Sequence, residues 1–249
     1  MFVLTRNQLT RALAAELLGT ALLVAVVIGS GIMASRLSPD DIGLQLFENA
    51  AATAAGLFVL ILVFGPISGA HFNPVVSLAD AYFGGLPWSR AALYLPFQVI
   101  GGIVGAILAN LMFSLPVVSI SAKERFGGGL WLAEVVATIG LLLTIFALVR
   151  SRRAGMVAPA VGCYIGAAYF FTASTSFANP AVTTGRIFSN TFAGIEPGSA
   201  LMFILMQLIA GAVAVPLVRF LYPDVAEFAG DVVVPHETES DPATAEEPV

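Results

Sequence analysis

Two Asn-Pro steps carry the most specific chemistry in this sequence: Asn73-Pro74-Val75 and Asn179-Pro180-Ala181. Asn before a helix caps it, because its side-chain carbonyl accepts a free backbone N–H of the first turn. Pro at the first helical position has no N–H to leave unpaired. With its carbonyl held in this way, each Asn keeps an N–H₂ group to offer to a passing oxygen. The segments that follow, about 73–84 and 179–191, are too short to cross a bilayer. A helix of about eleven residues reaches ~16 Å, half the hydrocarbon thickness. Both therefore read as half-helices beginning near mid-membrane. Each N-terminus carries roughly +0.5 of an elementary charge, and two meeting head to head repel cations, hydronium included. Glu16 and Glu134 lie inside apolar runs, where an ionisable group is costly and has a purpose. Proton relay and structural support are the two readings. His71 lies two residues before the first Asn.

These groups need a membrane scaffold to position them, and the composition supplies one. Of 249 residues, 58% are hydrophobic and 11% charged, about half the charge of a soluble domain. Six long apolar segments span about 9–34, 46–65, 90–114, 130–149, 155–173 and 198–221. None alternates in the manner of a barrel strand, so the fold class is an all-α membrane protein with six transmembrane helices and two re-entrant half-helices. The first run is too long for a signal-peptide core and reads as a retained span. The channel domain is expected over 9–221, in repeats of about 9–114 and 130–221, after a cytoplasmic N-terminus at 1–8. Residues 222–249 hold eight of the sixteen acids and no Lys or Arg, and read as an acidic, disordered cytoplasmic tail. With both termini inside, seven basic residues face the cytoplasm and four (Arg36, Lys123, Arg125, Arg186) face out, which favours that orientation. The expected location is a plasma membrane, most simply a bacterial inner membrane. No basic patch points to nucleic acid, and the single Cys163 reads as a small buried hydrophobe rather than part of a metal site or disulfide. No metal or cofactor is expected.

The two halves repeat one another. Ala15-Glu16 parallels Ala133-Glu134, Asn73-Pro74 parallels Asn179-Pro180, and Gln98 parallels Gln207, in the same order at offsets of 118, 106 and 109 residues. Three spans per half give the second copy inverted topology, and inverted repeats with interrupted helices place a solute path at their interface. Gln98 and Gln207 are expected to bond backbones of other helices. Gly101-x-x-x-Gly105 and Gly162-x-x-x-Gly166 read as close-packing faces. The extended stretches before each motif cannot pair internally, so their carbonyls can line the pore. Gly69, Ala70 and His71 are expected to do so on the cytoplasmic side, and Ser174, Thr175, Ser176 and Phe177 on the outer side.

Ser68-Gly69-Ala70-His71-Phe72-Asn73-Pro74-Val75 and Phe177-Ala178-Asn179-Pro180-Ala181 resemble the two signatures of the major intrinsic protein family, the aquaporins and aquaglyceroporins. The resemblance covers about residues 9–221. It implies a homotetramer in the lipid bilayer with one pore per subunit, and structural carboxylates at Glu16 and Glu134 that prop the re-entrant loops. Family members usually place Arg directly after the second motif, in the selectivity filter; here that position is Val182. Counting back from the Asn residues locates the other filter members at Thr53 (near Asn49), Ser176, and Ala167 or Gly166. All are small, which predicts a wide, arginine-free constriction. This resembles the bacterial aquaglyceroporins linked to arsenic-resistance operons. The expected solutes are arsenite and methylated arsenicals, with glycerol, urea and water. Arg186, one turn beyond Val182, is the candidate that could reach the outer vestibule and restore a cation. Val75, bulkier than the usual Ala, is expected behind the pore wall.

A water-selective channel of the same fold is one alternative, and the small filter residues argue against it. A proton-coupled transporter would need Glu16 or Glu134 to carry the coupling. A closed scaffold would pass no solute. An enzyme is disfavoured, since no nucleophile–base pair or metal cluster stands out and one of the two His residues, His236, lies in the tail.

Overall fold

Thr5 begins the described part of the chain: the computed structural model describes residues 5–223. The tail expected over 222–249, His236 included, lies outside them but for Tyr222 and Pro223. Among the described residues there are eight α-helices and no strand. The first three are α1 (Arg6–Leu37), α2 (Ile42–Ser68) and the short α3 (Pro74–Phe83). They are followed by α4 (Trp88–Met112), α5 (Gly128–Arg150) and α6 (Val157–Phe171), the last entered through a 3-10 turn at Ala154–Met156. The short α7 (Pro180–Arg186) and α8 (Pro197–Leu221) complete the order. Six of these helical segments, the 3-10 turn counted with α6, are long and apolar enough to cross a membrane. Their outward faces carry large apolar side chains such as Leu18, Phe58, Leu132, Phe170 and Leu201, all exposed. Facing lipid, such side chains lose nothing by exposure.

An even number of spans returns the chain to the side it started from. The α3 end of the molecule, on the side of the two chain termini, is called the terminal mouth below, and the α7 end the distal mouth.

Both half-helices begin as their sequences demand. The Asn73 side chain accepts from Val75 N at 3.0 Å, and Asn179 accepts from Ala181 N and Val182 N at 2.9 and 3.2 Å. The second half-helix is shorter than expected, ending at Arg186 rather than near residue 191. The cause is competition for its last carbonyls. Arg186 O accepts from Ile195 N, Ile187 O from Ser121 N, and Phe188 O from Ser119 N. Ile195, and Ser119 and Ser121 of the segment between α4 and α5, thus take the acceptors that a continuing helix would use.

Close approach at glycines sets the depth of each half-helix. A Cβ on Gly102 of α4 would lie 2.5 Å from Ala181 O, and one on Gly185 would lie 2.5 Å from Gly102 O, so α7 and α4 touch backbone to backbone. In the other half a Cβ on Gly211 of α8 would lie 2.7 Å from Val75 Cγ1. Val75 is buried against that glycine and does not line the central cavity. Its extra methyl groups relative to Ala occupy space that the glycine leaves.

Candidate functional site

Each re-entrant loop hangs on a fully buried carboxylate. Glu16 accepts from His71 N (3.0 Å), Phe72 N (2.8 Å), Ser68 Oγ (2.6 Å) and Gln98 Nε2 (2.7 Å). Glu134 accepts from Phe177 N (3.0 Å), Ala178 N (2.9 Å) and Gln207 Nε2 (2.6 Å). A buried carboxylate is tolerated when its lone pairs are filled this way. Gln98 and Gln207 therefore bond carboxylates rather than the backbones expected for them. Their amides also donate to Ser77 Oγ (2.9 Å) and Thr183 Oγ1 (2.9 Å) of the half-helices. An amide has two N–H bonds, and both are used, one on the strut and one on the half-helix.

These anchors hold a strained backbone. Ala70, Phe72, Thr175, Ser176 and Ala178 have φ of 48°, 50°, 64°, 52° and 48°. Left-handed backbone at a non-glycine residue costs roughly 1–2 kcal/mol. It persists here because the carboxylate bonds fix the peptide groups between these residues. The centre is cross-linked as well. Asn73 Nδ2 donates to Ala178 O at 2.8 Å, and Asn179 Nδ2 donates to Phe72 O at 2.8 Å. Each amide thereby uses one hydrogen on the opposite half and retains one for the lumen, which both Asn residues line.

The cavity through the centre is walled by helical stripes at a spacing of four: Thr53, Leu57 and Ile61 on α2, and Val157, Val161, Ile165 and Tyr169 along α6. Ala70, His71, Ser176, Phe177 and Val182 line it as expected positions, joined by Phe72 and Ala178. Gly69, Ser174 and Thr175, also expected to line it, are not among the residues that wall this cavity. Gly69 caps α2 at φ 87°, Ser174 is fully buried and accepts from Ser176 N at 3.2 Å, and Thr175 N turns back to Thr172 O at 3.1 Å.

The expected filter ring needs two corrections. Gly166 packs toward Ala54 of α2, a Cβ there lying 3.0 Å from Ala54 Cβ, and Ala167 is exposed on the outer surface. The α6 contribution is Tyr169, whose hydroxyl lies 3.2 Å from Thr53 Oγ1. The ring is therefore not uniformly small. Arg186, 2% exposed, also lines the cavity. Asn49 lies one turn from Thr53 but is drawn aside, donating to Val27 O at 2.9 Å and to Ser30 Oγ at 2.8 Å.

At the distal mouth Arg186 stacks on Phe177, with Cζ 3.4 Å from the ring centroid, and its Nε donates to Ala193 O. Arg125, which no motif marks, places its Cζ 5.1 Å from the same ring and bonds Gly194 O through Nε at 3.1 Å. Burial depresses the Arg125 pKa, and burial together with Arg125 and Arg186 lowers that of Lys123 to about 8. At the terminal mouth His71 Nε2 is 3.4 Å from Asp80 Oδ2, and His71 Nδ1 is 3.0 Å from Ser77 Oγ. Among the described residues no group of three or more His, Cys, Asp or Glu gathers as metal ligands.

Six spans, two half-helices meeting tip to tip and a polar-ended lumen between them define a multi-pass membrane channel. The family model described as "MIP: Major intrinsic protein" matches residues 3–178, so the chain belongs to the major intrinsic protein family. It is 52% identical over 214 residues to Aquaglyceroporin AqpS of Rhizobium meliloti (strain 1021), covering 86% of this chain and 91% of that one. It is 31% identical over 159 residues to a probable glycerol uptake facilitator protein of Thermotoga maritima, covering 58% and 67%. The X-ray structure of the aquaglyceroporin from Plasmodium falciparum has the same fold, with a TM-score of 0.67 at 19% identity over 87% of this chain and 98% of that one.

Proposed function

We propose that the chain is a passive channel for small, neutral, hydrogen-bonding solutes: glycerol first, with urea, water, arsenite and methylated arsenicals. The observation that carries this reading is the ring at the distal end of the lumen. Thr53, Tyr169, Ser176 and Arg186 present hydroxyl and guanidinium groups there, while Leu57, Ile61, Val161 and Ile165 line the path further in. A solute with hydroxyls on one edge and an apolar or polarisable body on the other matches such a path. Trihydroxylated arsenic is neutral at neutral pH and offers the same three hydroxyls as glycerol. The likeness to an aquaglyceroporin and to a glycerol facilitator over most of the chain supports glycerol in particular. The homotetramer, the cytoplasmic placement of both termini and the bacterial inner membrane complete the proposal.

The test is swelling of vesicles carrying the purified protein. Glycerol and arsenite are expected to enter with non-saturating kinetics and without a pH gradient. A second reading, a water-selective pore, is favoured by the bulk of Tyr169 and by Arg186 within the ring. Water flux without glycerol or arsenite flux would establish that second reading and remove the first.

A further inference from the structure

Arg186 is a buried guanidinium with no carboxylate beside it. The His71–Asp80 contact lies at the opposite mouth and does not reach it. Glu134, whose charge reaches both Arg186 and Arg125 without pairing with either, already accepts three hydrogen bonds from Phe177, Ala178 and Gln207. Of the Arg186 nitrogens, Nε alone has a protein acceptor among the described residues, and the side chain lines the cavity. Burying an unpaired cation is expensive by several kcal/mol unless something supplies negative potential. Ala193 O and the face of Phe177 supply part of it. Arg125 adds a second positive group over the same ring. A further unpartnered group is present: Ser176 Oγ is buried without a hydrogen bond and its residue lines the same cavity. The distal mouth thus holds a surplus of positive charge and donors, and a deficit of acceptors.

We propose that Arg186, Arg125 and Ser176 form an oxyanion-binding subsite at the distal mouth, which holds small, singly charged, tetrahedral oxyacids and competes there with neutral solutes. A guanidinium stacked on an aromatic ring is held flat and presents its N–H edge, the geometry that suits two oxygens of one oxyanion. The Ser176 hydroxyl donates to a third. Lys123, exposed and bonded through Nζ to Phe192 O at 2.7 Å, lies within electrostatic reach of both arginines and raises the local anion concentration. This subsite deepens the channel reading and rests on it for its effect on flux, though not for binding itself.

Methanesulfonate is the probe, since its single charge does not change with pH. Dimethyl sulfone is its neutral counterpart of nearly equal shape. In vesicles at constant osmolarity, methanesulfonate is expected to slow glycerol entry in a saturable way and dimethyl sulfone is not. The half-inhibitory concentration, each variant referred to its own glycerol rate, is expected to rise roughly tenfold to a hundredfold in Arg186→Ala, the scale of one or two charge-assisted hydrogen bonds. A smaller rise is expected in Arg125→Ala, and partial retention in Arg186→Lys. Equal slowing by the sulfone, or no change in both alanine variants, overturns the proposal. Calorimetric binding of methanesulfonate to the solubilised protein separates the two readings. Saturable heat that is lost in Arg186→Ala and weakened in Arg125→Ala supports the subsite even if glycerol flux fails and the channel reading with it. Absence of such heat in the wild type overturns the subsite while leaving glycerol conduction untouched.

Discussion

The two mouths of the lumen are built from corresponding positions and carry opposite chemistry. Two residues before each motif Asn stand His71 and Phe177, and seven after it stand Asp80 and Arg186. In both halves these two residues meet, as an imidazole–carboxylate contact of 3.4 Å at the terminal mouth and a guanidinium–ring stack of 3.4 Å at the distal one. Behind them the framework is the same: a buried Glu on two successive loop N–H groups, tied through Gln to a hydroxyl of the half-helix. The repeat conserves what holds the backbone up, and it diverges where side chains face solute. The framework and the groups that line the mouths are therefore encoded at separate positions only a few residues apart.

The largest expected effects test the shared framework. Glu16→Ala strands four donors and Glu134→Ala three, each unsatisfied buried donor costing about 1–3 kcal/mol. Both variants should lose most of their folded yield in detergent, Glu16→Ala more than Glu134→Ala. Equal stability to the wild type in either would mean that the loops are held by something other than these carboxylates. Next come the glycine contacts. Gly102→Ala drives a methyl into the Ala181 carbonyl and should lower thermal stability by about 1–3 kcal/mol, with no rescue from a side-chain change. Gly211→Ala meets only Val75 Cγ1, so Val75→Ala in the same chain should restore most of the loss. A failed rescue would break the correspondence between the two half-helix seats.

Smaller effects test where the mouths differ. Tyr169→Ala removes the ring's bulk and should raise the ratio of glycerol to water permeability several-fold, roughly the reach of 1 kcal/mol in a barrier. An unchanged ratio would place the constriction elsewhere. The smallest effect concerns Lys123, which faces Arg125 and Arg186 in its surroundings and loses its proton at about 8 rather than 10.5. Methanesulfonate inhibition should therefore weaken slightly as pH rises through about 8, and Lys123→Met should flatten that change. The folded pKa lies below the model-peptide value, so between about 8 and 10.5 the unfolded chain binds more protons and stability rises with pH. Solvent around this exposed side chain keeps that gain small.

Much of the scaffold was legible in the residues, because helix length, N-capping and repeat register are local properties. The Asn-Pro steps, the six apolar runs and the buried acids each point to one element without knowledge of packing. The ring was less legible. Counting back from Asn179 to Ala167 assumes a loop of standard length, whereas α6 brings Tyr169 to the lumen two residues later. The stripe Val157, Val161, Ile165, Tyr169, at a spacing of four, was the available signal, and a search along that face would have reached the tyrosine. The early end of α7 could not be read, since it depends on carbonyls claimed by residues 119–121. Arg125 lies in that same connecting segment, and nothing in its neighbourhood marks it until the fold lays it over Phe177.

The crossed amide bonds at the centre have a consequence for biogenesis. Asn73 reaches a carbonyl 105 residues ahead of it, and Asn179 one 107 residues behind. When the first three spans have entered the bilayer, Phe72 O and the Asn73 amide are still waiting for partners that the ribosome has yet to make. Contacts so distant in sequence form late, since their loop-closure entropy must be met first. The lumen is thus the last part of the protein to exist. Neither half, expressed alone, is able to complete it without borrowing the missing tip from a second molecule.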